Sequence, residues 1–295
     1  MLFSIRRQPL FFAVLMVPSM LLVGGLIVFP LLNGVWLSFT NATPLRPVTR
    51  FVGLENFQYL LEEPEFFIVV YNTVVMVGTA TAASLVVGFC IALLLSSGIH
   101  GAHLFRTAIF QVWVVPWIVI AILWAWLFNT DYGLVNYFLL EFGIAQEKFR
   151  WLFHPVGSKA AIIAGFTWRS VPFMMVISLA ALEGIPRELL ESAAIDGAGY
   201  FRQLRHIILP LLRNILLIAT LMQAVRFFQE MTLPWVLTQG GPVNATMVLS
   251  MFTYKLAFEN WDFGLASTVG TLWLCLLLVL AVLYVRLVVR PEGGG

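Results

Sequence analysis

The sequence predicts an all-α membrane protein of six spans, and three observations lead there. Long apolar runs recur along the chain, most of them contain no charge at all, and ionisable residues are scarce throughout. Of the 295 residues, 60% are hydrophobic and only 11% are charged, with a mean hydropathy of +0.92. Soluble domains carry about 25% charged residues. A single soluble core could not hide so much apolar surface, so lipid must be the solvent for most of the chain.

A membrane helix needs about 20 predominantly apolar residues. Four stretches meet this without a charge: Gln8–Leu45, Phe66–Ile99, Thr107–Thr130 and Phe263–Val285. Ala160–Leu182 is interrupted only by Arg169, and Ile207–Val225 contains Arg213. The expected spans are therefore 10–38, 68–97, 107–129, 160–182, 207–229 and 264–288 of a single domain over 1–295, with a polar loop at 183–206. The first run exceeds the roughly 7–15-residue core of a cleaved signal peptide, so Arg6 and Arg7 read as the flank of a retained helix. Gly293–Gly295 are left out of this reading.

Orientation follows from the basic residues in the loops. With the amino terminus inside, Arg6, Arg7, Arg106, Arg187, Arg202, Arg205, Arg213, Arg286 and Arg290 are cytoplasmic. Arg46, Arg50, Lys148, Arg150, Lys159 and Lys255 are external, nine against six, which puts both termini in the cytoplasm. The external loops read as short to medium, without a fold of their own. Trp113, Trp117, Trp124, Trp126, Trp151, Trp168 and Trp261 fall near span ends or in loops, as interfacial anchors do.

Cys90 and Cys275 lie within apolar runs and read as small hydrophobes, with no metal-ligand spacing around either. A net charge of +2 gives no ground for a nucleic-acid partner. No lysine follows a glycine, so a GxxxxGK[ST] nucleotide loop is impossible. The histidines, His100, His103, His154 and His206, sit in loops or at span ends, and no HExxH or GxSxG string occurs. No catalytic or metal-ligating residues are assigned.

The 183–206 loop is the informative segment. Ile185, Leu189 and Ala193 recur at helical spacing, with Leu190 and Ala194 beside them and Arg187, Glu188 and Glu191 on the remaining surface. Pro186 suits a first helical turn, and Gly197 can take the left-handed conformation that stops a helix. Ser192-Ala193-Ala194 gives a slim waist for close docking, and Leu209-Pro210 marks re-entry into the next membrane helix.

Glu191-Ser192-Ala193, three residues, Gly197, nine more, then Ile207 and Leu209-Pro210 resembles the EAA signature of bacterial ABC importer permeases, with Ser192 where that family has Ala. The strings Gly53-Leu54-Glu55-Asn56-Phe57, Leu127-Phe128-Asn129, Trp168-Arg169 with Pro172-Phe173, and Thr238-Gln239-Gly240-Gly241-Pro242 occur in the order seen in the carbohydrate-uptake branch. The resemblance implies a six-helix, type I, maltose-permease-like core whose loop carries a cytoplasmic coupling helix. Glu191, Ser192, Ala193, Asp196 and Gly197 would be its contact with the ATPase. It also implies a second, homologous permease subunit and two cytosolic ABC ATPase subunits that bind ATP and Mg, leaving no cofactor in this chain. An extracytoplasmic solute-binding protein would deliver the sugar, and the complex would sit in the bacterial inner membrane.

Ionisable groups inside spans are expensive and usually face a wet cavity or the bundle interior. Arg226, Phe227, Gln229 and Glu230 in the fifth span, with Arg169 in the fourth, are the candidates for the substrate path. Aromatic faces can stack on sugar rings while amide, carboxylate and guanidinium groups bond the hydroxyls. Two bland readings stand beside this one: Arg226 and Glu230, one turn apart, pair for structure, and Arg169 belongs to the scaffold. Asn72, Gln111 and Gln223 are lesser candidates, because such residues more often bond a neighbouring helix. Cargo other than sugar (glycerol phosphate, an osmolyte, another small polar solute) remains open. An intramembrane enzyme would need a carboxylate pair that the spans lack. A standalone secondary transporter would show inverted repeats or broken helices in both halves, and neither is legible.

Overall fold

The computed structural model describes residues 9–45 and 48–288. Arg6, Arg7, Arg46, Arg290 and Gly293–Gly295 lie outside them. The described residues form fourteen α-helices, with one isolated bridge, Thr40 to Phe51, as the only extended pairing among them. They divide into two compact units. One comprises the chain up to Glu63 together with Thr253–Leu276, and the other comprises Pro64–Phe252 and the chain from Leu277 onward.

In the first unit, α1 (Pro9–Val23) continues through a π-turn at Gly24–Val28 into α2 (Phe29–Leu37), and α3 (Glu55–Glu62) follows a short link. Asn56 of α3 donates its amide to the carbonyls of Ser38 (3.0 Å) and Thr40 (2.8 Å), groups left over where α2 ends. Thr268 also donates to the Ser38 carbonyl, at 3.0 Å. A Cβ on Gly264 would collide with the Thr40 carbonyl, so a side chain there would prevent this close approach.

The second unit carries the rest in chain order: α4 (Pro64–Ser96), α5 (Ala102–Val114), α6 (Trp117–Leu127), α7 (Leu134–Glu141), α8 (Pro155–Glu183), α9 (Arg187–Ile195), α10 (Tyr200–Gln203), α11 (Leu209–Gln229) and α12 (Thr232–Thr238). Next, α13 (Leu249–Tyr254) passes through a π-turn, and α14 (Phe263–Val288), whose residues up to Leu276 belong to the first unit, ends the described chain.

The core of this unit is α4 laid along α8. Val69, Thr73, Met76, Ala80, Ser84, Gly88, Ala92 and Leu95 of α4 are buried at the three-to-four-residue spacing of one helix face. Small residues set the approach, as expected where lipid offers no hydrophobic drive between helices. A Cβ at Gly88 would stand 2.6 Å from Met174 Cβ and 2.9 Å from the Met175 amide nitrogen. Gly165 of α8 plays the same part for α6, because a Cβ there would strike the Trp124 ring. Arg106 and Glu183 pair at 3.0 Å and join the start of α5 to the end of α8.

Three expectations are corrected. The third apolar run, 107–129, is not one helix: α5 and α6 are bent by 96° at Val115-Pro116, the form of a broken span or a re-entrant loop. Helix does not begin at Leu209-Pro210. It runs from Tyr200 to Gln229 through a π-turn at Leu204–Ile208, which absorbs the amide missing at Pro210. The loop at 129–153 is also organised. Buried Asn136 accepts from Phe149 N (3.2 Å) and Trp151 Nε1 (3.0 Å) and donates to the carbonyls of Thr130 (3.1 Å) and Phe149 (2.9 Å).

Replacing Gly88 by Ala should force α4 off α8 and cost about 1–3 kcal/mol. The control Gly78→Ala, where nothing lies within 4 Å, should stay near wild type. Melting temperatures in detergent decide this, and equal values for the two variants would refute the tight α4–α8 approach.

Candidate functional site

Two regions carry the residues singled out in the sequence. The first is the loop after α8. Pro186 caps the short helix α9 rather than entering it, and the helix ends at Asp196. Gly197 takes φ +82°. Its amide donates to Ala194 O (3.0 Å) and that of Ala198 to Ala193 O (2.9 Å), the double bond of a Schellman stop. Gln203 Nε2 donates to the carbonyls of Leu190 (3.4 Å) and Ala198 (3.0 Å), fastening α9 to α10. Ile185 and Leu190 pack on the buried cluster of Ala181, Ile208, Leu212 and Leu216, where the feet of α8 and α11 meet.

Glu191, Ser192, Asp196 and Gly197 are exposed and Ala193 is half-buried. The expected apolar face is only partly inward, since Leu189 remains exposed. Ile195 at 88% and Phe201 at 80% exposure were not anticipated. Both lie where polar residues would serve a merely solvated turn. The signal for Ile195 was its position off the face occupied by Ile185, Leu189 and Ala193.

The second region surrounds the break between α5 and α6. At the break the Val119 amide bonds the Pro116 carbonyl (3.1 Å) and not that of Val115, and the Val115 carbonyl accepts from Arg169 Nε at 3.3 Å. The Arg169 guanidinium lies 4.2 Å over the Trp117 ring. One helical turn further along α8, Phe173 stacks with Trp113 at 6.2 Å and 19°. The guanidinium of Arg226, from α11, lies 4.8 Å over Phe173 and 5.9 Å over Trp113. Trp113 and Trp117 therefore back two cations, and Trp124 is seated on Gly165.

Arg226 and Gln229 are exposed, whereas Glu230 is half-buried. Glu230 ends α11 and its Oε1 accepts from the Thr232 amide at 2.7 Å. Among the described residues, no ion pair within 4.0 Å joins it to Arg226, so the expected structural pair is not made. Phe227 is 2% exposed and stacks on Phe166 at 4.8 Å. It belongs to the core and leaves the set that can touch a solute. Asn72 and Gln223 bond within the protein: Asn72 donates to Asn244 O at 2.7 Å, and Gln223 donates to Ser170 Oγ at 2.8 Å. Gln111 is exposed.

A cleft of about 800 Å³ opens among the loops at the amino-terminal end of α8, with Trp126, Asn129, Tyr132, Phe153 and Gln239 in its wall. None of the candidate path residues lines it. Gln239 and Gly240, at φ +50° and +87°, turn the chain at its rim.

Five long apolar helices, one bent pair and an exposed loop helix stopped by a left-handed glycine make a subunit built to cross a membrane several times. The chain belongs to the family described as the binding-protein-dependent transport system inner membrane component, whose model matches residues 84–290, and to its carbohydrate-uptake branch. It is 30% identical over 272 residues to the trehalose/maltose transport system permease protein MalF of Thermococcus litoralis, covering 92% of this chain and 91% of that protein. It is 29% identical over 284 residues to the sn-glycerol-3-phosphate transport system permease protein UgpA of Pectobacterium atrosepticum, covering 94% and 93%. Its fold matches a chain of a bacterial ABC transporter involved in the import of the acidic polysaccharide alginate, with a TM-score of 0.81 at 19% identity and 98% coverage of both chains.

Replacing Arg169 by Leu strips the Val115 carbonyl of its donor and the Trp117 face of its cation. A loss of about 1–3 kcal/mol is expected, seen as a lower melting temperature in detergent. Arg169→Lys should restore only part of it, because an ammonium lacks the planar fork. An unchanged melting temperature in Arg169→Leu would show that the break does not depend on this side chain.

Proposed function

We propose that this chain forms one half of the translocation path of a sugar importer and couples that path to ATP hydrolysis on partner subunits. A second, similar but non-identical permease completes the path, and two cytosolic ATPase subunits dock on the α9 loops. These partners bind ATP and Mg, and this chain holds neither. An extracytoplasmic binding protein delivers the sugar, and both termini lie in the cytoplasm. The relatives named as trehalose/maltose and glycerol-phosphate permeases support this assignment of cargo class.

The observation that carries the reading is α9: a short helix between two long apolar ones, stopped by a left-handed glycine, with Glu191, Asp196 and Ile195 exposed at its tip. Such a helix gains little by itself, but its form suits insertion into a cleft of another chain. Closure of the ATPases would push α9 and its counterpart together and turn the cavity outward, and hydrolysis would reset it inward. Arg226, Gln229 and Glu230, with the free edge of Arg169, are the groups that meet the solute along the path.

Valine at Gly197 would be forced into a positive φ that β-branched residues rarely adopt. We expect Gly197→Val to lower sugar uptake by about tenfold or more while leaving the protein level in the membrane unchanged, since a damaged stop misplaces the docking surface. Wild-type uptake in that variant would refute the coupling role. The cargo class is tested by ATPase stimulation of the purified complex, with its binding protein, across a panel of sugars. Silence to every sugar together with a response to an amino acid would refute the sugar assignment.

A further inference from the structure

Arginine stays charged under all ordinary conditions, and placing it within a span is costly unless its donors are met. The two path arginines differ in how far they are met. Arg169 spends its Nε on Val115 O, at 3.3 Å. Among the described residues, Arg226 makes neither a hydrogen bond nor an ion pair; its contacts are the faces of Phe173 and Trp113. Stacking occupies the plane of a guanidinium and leaves its in-plane N–H groups free. Arg226 therefore retains its five donors, and Arg169 keeps those of its terminal nitrogens.

The nearby carboxylate does not balance them. Glu230 is held by the Thr232 amide at 2.7 Å. Arg169 lies within electrostatic reach of both Arg226 and Glu230, and the three together carry one net positive charge. A neutral sugar needs no such excess, because amides and hydroxyls bond its hydroxyls without a fixed charge. Of the amides singled out in this unit, those of Asn72 and Gln223 are occupied, whereas Gln111 and Gln229 are exposed. A guanidinium lying over aromatic rings, with its N–H groups unspent on the protein, matches the two oxygens of a carboxylate, sulfate or phosphate.

We propose that the cargo is an anionic carbohydrate, and that Arg226, backed by Phe173 and Trp113 and assisted by Arg169, receives its acidic group. This rests on the sugar-path reading of Arg226 above. The fork confers specificity by charge and geometry, while the aromatic walls fix its orientation at little entropic cost.

The test is equilibrium binding to the purified full complex in detergent, with digalacturonate, glucose 6-phosphate and glucose 6-sulfate set against neutral trehalose and maltose. We expect at least one anionic probe to bind about tenfold or more tighter than both neutral ones. Arg226→Gln should bring that probe down to the affinity of the neutral sugars, and Arg226→Lys should keep part of the preference. Tighter binding of trehalose or maltose than of every anionic probe would overturn the anionic cargo. If that neutral binding also falls in Arg226→Gln, the path reading survives. Binding of all probes that is unaffected by both Arg226→Gln and Gln229→Ala would instead refute the path reading itself. Should Arg226→Gln fail to assemble, Arg226→Lys decides: a full anionic preference in a residue without the planar fork removes the proposed basis of recognition.

Discussion

A backbone carbonyl deprived of its amide partner has no water to turn to at membrane depth, and the arrangement of the second unit depends on how one such group is met. Pro116 breaks the third apolar segment by 96° and leaves the Val115 carbonyl to find another donor. That donor is Arg169, which must be carried at the right height on a rigid neighbouring helix. The neighbour is α8, fixed against α4 by the missing side chain of Gly88 and against α6 by that of Gly165. Gln223 then ties α11 to the same helix through Ser170. Once α8 is in place, Phe173 and Trp113 stack, and Arg226 from α11 has a surface to lie on. The aromatic–cation cluster is thus a consequence of closing a helix break.

Polar residues in the apolar helices fall into two groups by what they bond. Asn72, Thr73, Gln223 and Ser170 are buried and satisfied by neighbouring backbone or side chains, and they hold the scaffold together. Arg226 and Gln229 are exposed on one face of the last turns of α11, while Phe227 between them points into the core. Burial of a polar side chain requires a partner. Exposure of a charged one on an otherwise apolar helix calls for water or a polar partner.

Hydropathy made the long helices legible because nothing but lipid accounts for such runs. It could not show the break. Pro18, Pro172 and Pro210 also lie in long apolar segments, and Pro18 and Pro172 sit inside unbroken α-helices while a π-turn carries the chain past Pro210. Whether a proline bends a span depends on a donor elsewhere that can meet the freed carbonyl, which is a tertiary fact. The loop helix was readable for the opposite reason: Gly197 and the residues before it form a local stop. Phe227 was misplaced because a helix that is apolar on every side does not reveal its inward face. Ile195 and Phe201 escaped notice because the apolar repeat of the loop runs through Ile185, Leu189 and Ala193 and passes both by.

The attachment of α9 shows how a load on the loop reaches the cluster. Ile185 and Leu190 anchor it on Ala181 from α8 and on Ile208, Leu212 and Leu216, which lead into and along α11. Gln203 fastens its far end to the start of the continuous helix that becomes α11. A push on α9 is therefore delivered to the feet of both helices at once, through close-packed side chains that transmit displacement instead of absorbing it. Arg169 and Phe173 ride on one of those helices and Arg226 on the other. Any tilt of α8 against α11 changes the separation of Phe173 and Arg226, and with it the aromatic backing that holds the guanidinium flat. The same two helices thus tie the geometry of the arginine–aromatic cluster to the seat of the loop, without a separate linkage between them.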